Sequence, residues 1–145
     1  MLNGKYLDLY NSLSRHIDKK RIFHDPLHTL AFGTDASFYR LIPKLVIKAW
    51  DEKEISLILT QCSGLNIPVT FRAAGTSLSG QAVTDSVLIL ATDNWKNYSI
   101  SDNGSTINLQ PGLIGGHINA LLAPYGRKMG PDPASINAAT IGGIV

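Results

Sequence analysis

Apolar residues along this chain fall on two different periods. Leu2, Tyr6, Leu9, Leu13 and Ile17 recur at near-helical spacing, which predicts an amphipathic helix over residues 3–18. Residues 22–40 lose that period. Asp25-Pro26 and Gly33-Thr34-Asp35 are turn chemistry, so this stretch reads as an irregular lead-in on the surface of a larger unit. Pro43 then opens a regular region. Leu45-Val46-Ile47 is a strand pattern, and Asp51 and Glu54 have the spacing of a capping box. Ile55, Ile58, Leu59 and Cys62 follow at i, i+3, i+4 and i+7, with Gly64 as a C-terminal cap. Residues 67–72 read as a second strand, which gives strand, helix and strand at the size of a βαβ crossover.

Val87-Leu88-Ile89-Leu90 has the pattern of a buried strand. Residues 92–97 are polar and loop-like. Alternating segments around 98–101 and 106–110 flank Asp102-Asn103-Gly104, a hairpin signal. Ile114, Ile118, Leu121 and Leu122 share one helical face, and Pro124 stops that helix. The fold class is therefore α+β, a small βαβ subdomain followed by a strand-rich α/β subdomain. Residues 1–40 form a helix and lead-in, and residues 41–145 form the domain proper. The apolar run at residues 140–145 is expected to be a cut end, because chain ends usually lie in solvent.

Composition narrows the class of protein. The 145 residues are 44% hydrophobic and 17% charged, the balance of an ordinary globular domain. A formal net charge of +2 is too small to argue for nucleic acid. The one basic cluster, Lys19-Lys20-Arg21, reads as a solvated helix end. With Cys62 as the single cysteine, neither an intramolecular disulfide nor a cysteine-based cluster can form within the chain. No secretory leader or membrane-spanning run is visible. His24 and His28 are four apart, but Pro26 between them argues against a shared helical face, so no metal site is expected. His117 reads as exposed or structural. Trp50, Trp95 and Phe71 read as core or edge packing.

The strongest local feature is the loop at residues 72–82, RAAGTSLSGQA. Small side chains let backbone N–H groups approach a ligand, and successive N–H groups in a turn form a concave anion site. Gly75 and Gly80 tolerate positive φ, and Thr76, Ser77 and Ser79 add hydroxyl donors. It is neither a Walker A loop nor the dinucleotide G-x-G-x-x-G fingerprint. By composition alone it serves equally as a plain surface loop between two strands. Residues 128–143 form a second small-residue segment, stiffened by two prolines and ending in a glycine pair. It suits either close approach of a large planar ligand or a tight structural loop.

Taken in order, Pro43-Lys-Leu-Val-Ile-Lys, the loop from Pro68 to Ala82, Gly130-Pro-Asp-Pro-Ala-Ser and Thr140-Ile-Gly-Gly resemble the FAD-binding domain of the vanillyl-alcohol oxidase / p-cresol methylhydroxylase family. Within it, the chain is most similar to the D-lactate, glycolate and D-2-hydroxyglutarate dehydrogenase branch. The lead-in at residues 32–40 resembles the large members, which carry a C-terminal iron–sulfur part. The resemblance covers roughly residues 22–145. It implies a truncated PCMH-type FAD-binding fold in which Ala73, Ala74, Gly75, Thr76, Ser77 and Leu78 wrap the FAD pyrophosphate, completed by Gly80, Gln81 and Ala82. Pro131, Asp132, Ser135, Ala138, Ile141, Gly142 and Gly143 would line the pyrophosphate and isoalloxazine side. Thr76 stands where some relatives attach FAD through histidine, which implies non-covalent FAD.

The implied activity of the intact protein is oxidation of a D-2-hydroxy acid by hydride transfer to FAD, with a separate electron acceptor. Iron–sulfur clusters would lie only in a missing C-terminal part. No catalytic or metal-binding residue is expected within residues 1–145, and this piece alone is expected to be inactive. The resemblance places the protein in the cytoplasm, with peripheral membrane attachment of the intact protein left open. Two other readings stay open, a non-catalytic nucleotide- or anion-binding module and a structural fragment with an empty site.

Overall fold

The structure, a computed structural model, describes residues 2–145. Its first unit is a four-stranded sheet of β1 (Ile22–Phe23), β2 (Leu45–Lys48), β3 (Val69–Arg72) and β4 (Val87–Leu90), in the order β1-β2-β4-β3. β1 is antiparallel to β2, whereas β2 and β3 both run parallel to β4, with Leu45 and Val69 in register with Val87. The expected strand-helix-strand unit forms, but β4 inserts between its two strands. All four residues of β4 are buried, as a strand covered on both faces requires.

Alternation along the strands sorts the core into two layers. Leu45, Ile47, Val87 and Ile89 point to one face. There they meet Leu9 and Leu13 from α1 (Gly4–Leu13), Ile17, and Ile58 and Cys62 from α3 (Glu52–Gly64). Val46, Leu88 and Leu90 point to the other face, against Phe23 and Phe32. Each fully buried Leu or Ile contributes about 1.5–3 kcal/mol, so the first layer holds the larger share of this unit's stability. Ile55 and Leu65 complete the buried stripe of α3, and Leu59 turns outward.

Several local expectations are corrected. α1 stops at Leu13 rather than near residue 18. Ser14 caps it, and Asp18 then accepts from Lys20 N–H at 2.9 Å to start a separate 3₁₀ turn at Lys19–Arg21. Ile17 still reaches the core, which is why the apolar period ran on past the helix. Pro26 does not prevent a helix but begins one. It is the first residue of α2 (Pro26–Ala31), where its missing N–H costs nothing, and Asp25 Oδ1 caps His28 N–H at 3.1 Å. At the end of α3 the left-handed residue is Asn66, with φ of 49°, not Gly64.

Arg21 is not a solvated helix end. Its guanidinium forms a fork onto Glu54 at 2.6 Å per bond, donates to Lys48 O at 3.0 Å and lies 4.0 Å from the Trp50 ring centre. The hydrogen bond to Glu54 raises its pKa against the lowering effect of burial. Asp51 Oδ1 accepts from Glu54 N–H at 2.8 Å, but Glu54 reaches back to Trp50 N–H, one residue before the cap. Half of the capping box thus becomes a clamp between the lead-in and α3.

The second unit is the hairpin of β5 (Tyr98–Ser101) and β6 (Thr106–Leu109), with α4 (Gly115–Leu122) and a short α5 (Ile141–Ile144). Asp102, Asn103 and Gly104 all have positive φ and turn the hairpin. Leu113, Ile118, Leu122, Met129 and Ile141 form its core. Trp95 joins the units. Its buried indole N–H donates to Ala49 O at 2.7 Å, while its own carbonyl accepts from Gly112 N–H at 2.8 Å.

Cys62 reports on the first core. Burial pushes its thiol pKa up from 9.0 to about 11. The unfolded chain therefore loses this proton first as pH rises. The stabilising contribution should be complete below pH 9.0 and should fall away toward about pH 11. Urea unfolding measured across that window should show the decline, and Cys62→Ala should flatten this component. A thiol reagent should leave the native Cys62 unmodified and label it on unfolding.

Candidate functional site

Two small-residue segments far apart in sequence face each other across one cleft of about 770 Å³. That volume lies within the range of about 300–1,000 Å³ common for small-molecule sites. The first segment leaves the C-terminal end of β3, the edge of a parallel sheet where ligands of α/β folds usually bind. The second is pinned by residues 111–116. Ile141 N–H donates to Leu113 O at 2.8 Å, Gly142 N–H to Pro111 O at 2.9 Å, and Gly115 N–H to Ala139 O at 3.1 Å. The segments come into contact where a Cβ built on Gly143 would lie 3.6 Å from Ala73 Cβ.

Ala73, Ala74, Gly75, Thr76, Ser77, Leu78, Gln81 and Ala82 line the cleft from the first segment. Pro131, Asp132, Ser135, Gly142 and Gly143 line it from the second. Gly80, Ala138 and Ile141 do not. Gly80 packs on Tyr39, Ala138 faces solvent, and Ile141 sits in the second core. Six further residues complete the wall: Phe71, Ser79, Pro133, Ala139, Thr140 and Ile144. Phe71 is half exposed on the edge strand β3, so it forms part of the cleft wall rather than simple edge packing. Its place at the end of a strand leading into a glycine loop was the available signal.

The first segment offers a row of unused donors. Among the described residues, none of the backbone N–H groups of residues 73–78 has a protein acceptor, whereas those of Ser79 and Gln81 are taken by Ser77 Oγ at 3.2 and 3.3 Å. The Ser77 hydroxyl itself donates to Gln81 Oε1. Ser77 therefore staples the loop from within, leaving the row of N–H groups for a ligand. Opposite it, Thr140 Oγ1 is buried and without a partner. An unmade hydrogen bond of this kind costs about 1–3 kcal/mol, so a ligand atom that satisfies Thr140 recovers that cost.

The wall carries little charge. Among the described residues that line it, Asp132 is the only ionisable one, and it pairs with Lys128 at 3.3 Å on the exposed rim. An anion here must be held by peptide dipoles rather than by side-chain cations. Arg72 does not line the cleft. It folds back and donates to Thr34 O at 2.7 Å. The histidines are elsewhere. His28 pairs with Asp25, His24 lies edge-on to Tyr10, and His117 is exposed. Among the described residues no group of three His, Cys, Asp or Glu could hold a metal ion, and no helix is long and apolar enough to cross a membrane.

A neutral cradle of N–H groups facing a glycine pair suits a dinucleotide with a bridging pyrophosphate. The family model described as FAD binding domain matches residues 43–145. The chain belongs to this FAD binding domain family. Within it, the chain is 32% identical over 137 residues to the glycolate oxidase subunit GlcD of Escherichia coli K12, covering 92% of this chain and 28% of that protein. It is 23% identical to the D-2-hydroxyglutarate dehydrogenase of Pseudomonas putida, over 99% of this chain and 15% of that one. The chain thus spans under a third of the length of these curated relatives.

Solved structures share the fold at low identity. An alkyldihydroxyacetonephosphate synthase superposes with a TM-score of 0.81 at 17% identity, over 97% of this chain and 29% of that one. A p-cresol methylhydroxylase superposes at 0.76 and 12% identity, over 96% and 28%. The expected PCMH-type fold and the resemblance to the hydroxy-acid dehydrogenase branch are both borne out.

Gly75 has φ of +75°, and a Cβ there would lie 2.7 Å from the Arg72 guanidinium carbon. Gly75→Val combines that clash with a disfavoured backbone, a cost of about 1–3 kcal/mol. The variant should keep its far-UV circular dichroism, melt at lower temperature and lose detectable FAD binding in a fluorescence titration.

Proposed function

We propose that this chain forms one wall of the FAD site in a flavin-dependent oxidoreductase that acts on a D-2-hydroxy acid. The observation that carries the reading is the row of unused N–H groups at residues 73–78, set against the glycine pair Gly142-Gly143. In this reading residues 73–78 hold the pyrophosphate through backbone donors, with Gly80, Gln81 and Ala82 closing the loop. Pro131, Asp132, Ser135, Gly142 and Gly143 form the facing wall, with Ala138 and Ile141 on the same segment but turned away from the cleft. The buried hydroxyl of Thr140 makes one oriented hydrogen bond to the cofactor. Phe71 and Ile144 supply apolar wall that excludes water.

FAD, when bound, supplies the acceptor for the hydride taken from the substrate. This chain's own residues bind and orient, and no proton-transfer group is assigned among them. Thr76 at the cleft wall, with no histidine there, favours non-covalent attachment. The hydroxy-acid substrate class is supported by the relatives, a glycolate oxidase subunit and a D-2-hydroxyglutarate dehydrogenase, and in this reading residues 41–145 belong to the FAD domain. The unpaired, buried Cys62 fits a reducing compartment such as the cytoplasm.

Titration of FAD into this chain and into the longest natural form of the protein tests the reading through quenching of flavin fluorescence. Binding by the longer form with a shared dependence on Gly75 supports it, and absence of binding by both overturns it. Thr140→Val gives a second check. With no partner to lose, ligand-free thermal stability should hold or rise. FAD affinity should drop by about three- to tenfold, the usual worth of one hydrogen bond.

A further inference from the structure

We infer that Arg72 is a positioning residue that locks the lead-in at residues 32–36 to the underside of the glycine loop, making that lead-in a working part of the cofactor site. The inference rests on the FAD reading above and goes beyond the family match, which begins only at residue 43. Arg72 is the last residue of β3 and directly precedes the row of unused N–H groups. Its side chain turns away from the cleft. Nη1 donates to Thr34 O at 2.7 Å, to Ala82 O at 3.4 Å and to Phe32 O at 3.5 Å. It therefore ties together the lead-in and the two ends of the loop.

A second contact runs in the opposite direction. Ala36 N–H donates to Gly75 O at 3.0 Å, at the loop position with positive φ. Gly75 lies directly over the guanidinium, so the planar group sets the height of the loop. Asp35 supplies the local counter-charge. Burial alone would raise its carboxyl pKa, but hydrogen bonding from Ser37 and the Arg72 charge hold it below the ordinary carboxylate value. Further along, Tyr39 packs under Gly80, with 2.7 Å from its Cδ2 to a Cβ built there. The lead-in thus supports the loop at both glycines.

The coupling must be reciprocal, since anything that orders the loop also orders the segment tied beneath it. Amide hydrogen exchange on the wild type, Arg72→Met and Arg72→Lys, each with and without FAD, reads this directly. Arg72→Met should raise exchange at residues 32–42 and 73–82 together while the β2 and β4 amides stay protected. It should weaken FAD binding by about tenfold, within the usual range for coupled sites. Arg72→Lys keeps the charge but not the planar guanidinium and should fall between the two. If Arg72→Met also exposes β2 and β4, the same comparison is read from Arg72→Lys. In the wild type, FAD should protect both segments. Unchanged exchange at residues 32–42 in both variants, with normal FAD affinity, overturns the inference. Failure of FAD to bind both the wild-type chain and the longer form overturns the cofactor reading alone, because the exchange comparison without FAD still decides whether Arg72 couples the two segments.

Discussion

Parallel pairing of β3 with β4 is the constraint on which the site depends. Two parallel neighbours cannot be joined by a tight turn, so the chain must travel back along the sheet between them. The usual solution is a helix, which uses up its own N–H groups internally. Here residues 73–86 make the return as irregular chain, and the N–H groups of residues 73–78 stay without partners. The same topology that builds the sheet therefore creates the anion-binding surface. A helical crossover at this place would have removed it.

Such a crossover is unstable unless something else fixes its path, because ordering each backbone residue costs about 1–2 kcal/mol. The Ser77 staple fixes the tip of the loop, and the Arg72 Nη1 bonds and the Ala36–Gly75 bond fix its base. Neutrality of the wall follows from the same arrangement. The nearest strong cation points into the carbonyls of the lead-in, so in the proposed site an anion would be held by oriented dipoles. Dipoles of this kind bind by geometry, which favours a ligand of fixed shape over any mobile anion.

Much of this was legible in the sequence. Short continuous apolar runs identified β2 and β4, the 3.6 period identified α3, and Asp-Asn-Gly identified the hairpin turn, because each is a local rule. The pattern of small residues located both cleft segments for the same reason. What escaped depended on partners distant in the chain. Arg21 resembled a solvated charge until Glu54 was placed beside it, 33 positions along. Phe71 belongs to the cleft only because β3 is an edge strand, and Gly80 and Ile141 leave it because Tyr39 and the second core claim them. The α2 helix was hidden because Pro26 was read as a breaker where the structure uses it as an initiator.

The two cores explain why the cleft sits where it does. The sheet with α1 and α3 carries the first segment, and the hairpin with α4 carries the second. Trp95 bridges the units through Ala49 and Gly112, and Gly112 lies between Pro111 and Leu113, whose carbonyls pin the facing segment. A shift of one core against the other would therefore change the separation between Ala73 and Gly143 directly. Close packing resists such shifts. Trp95 therefore contributes to the relative placing of the two walls without lining the site.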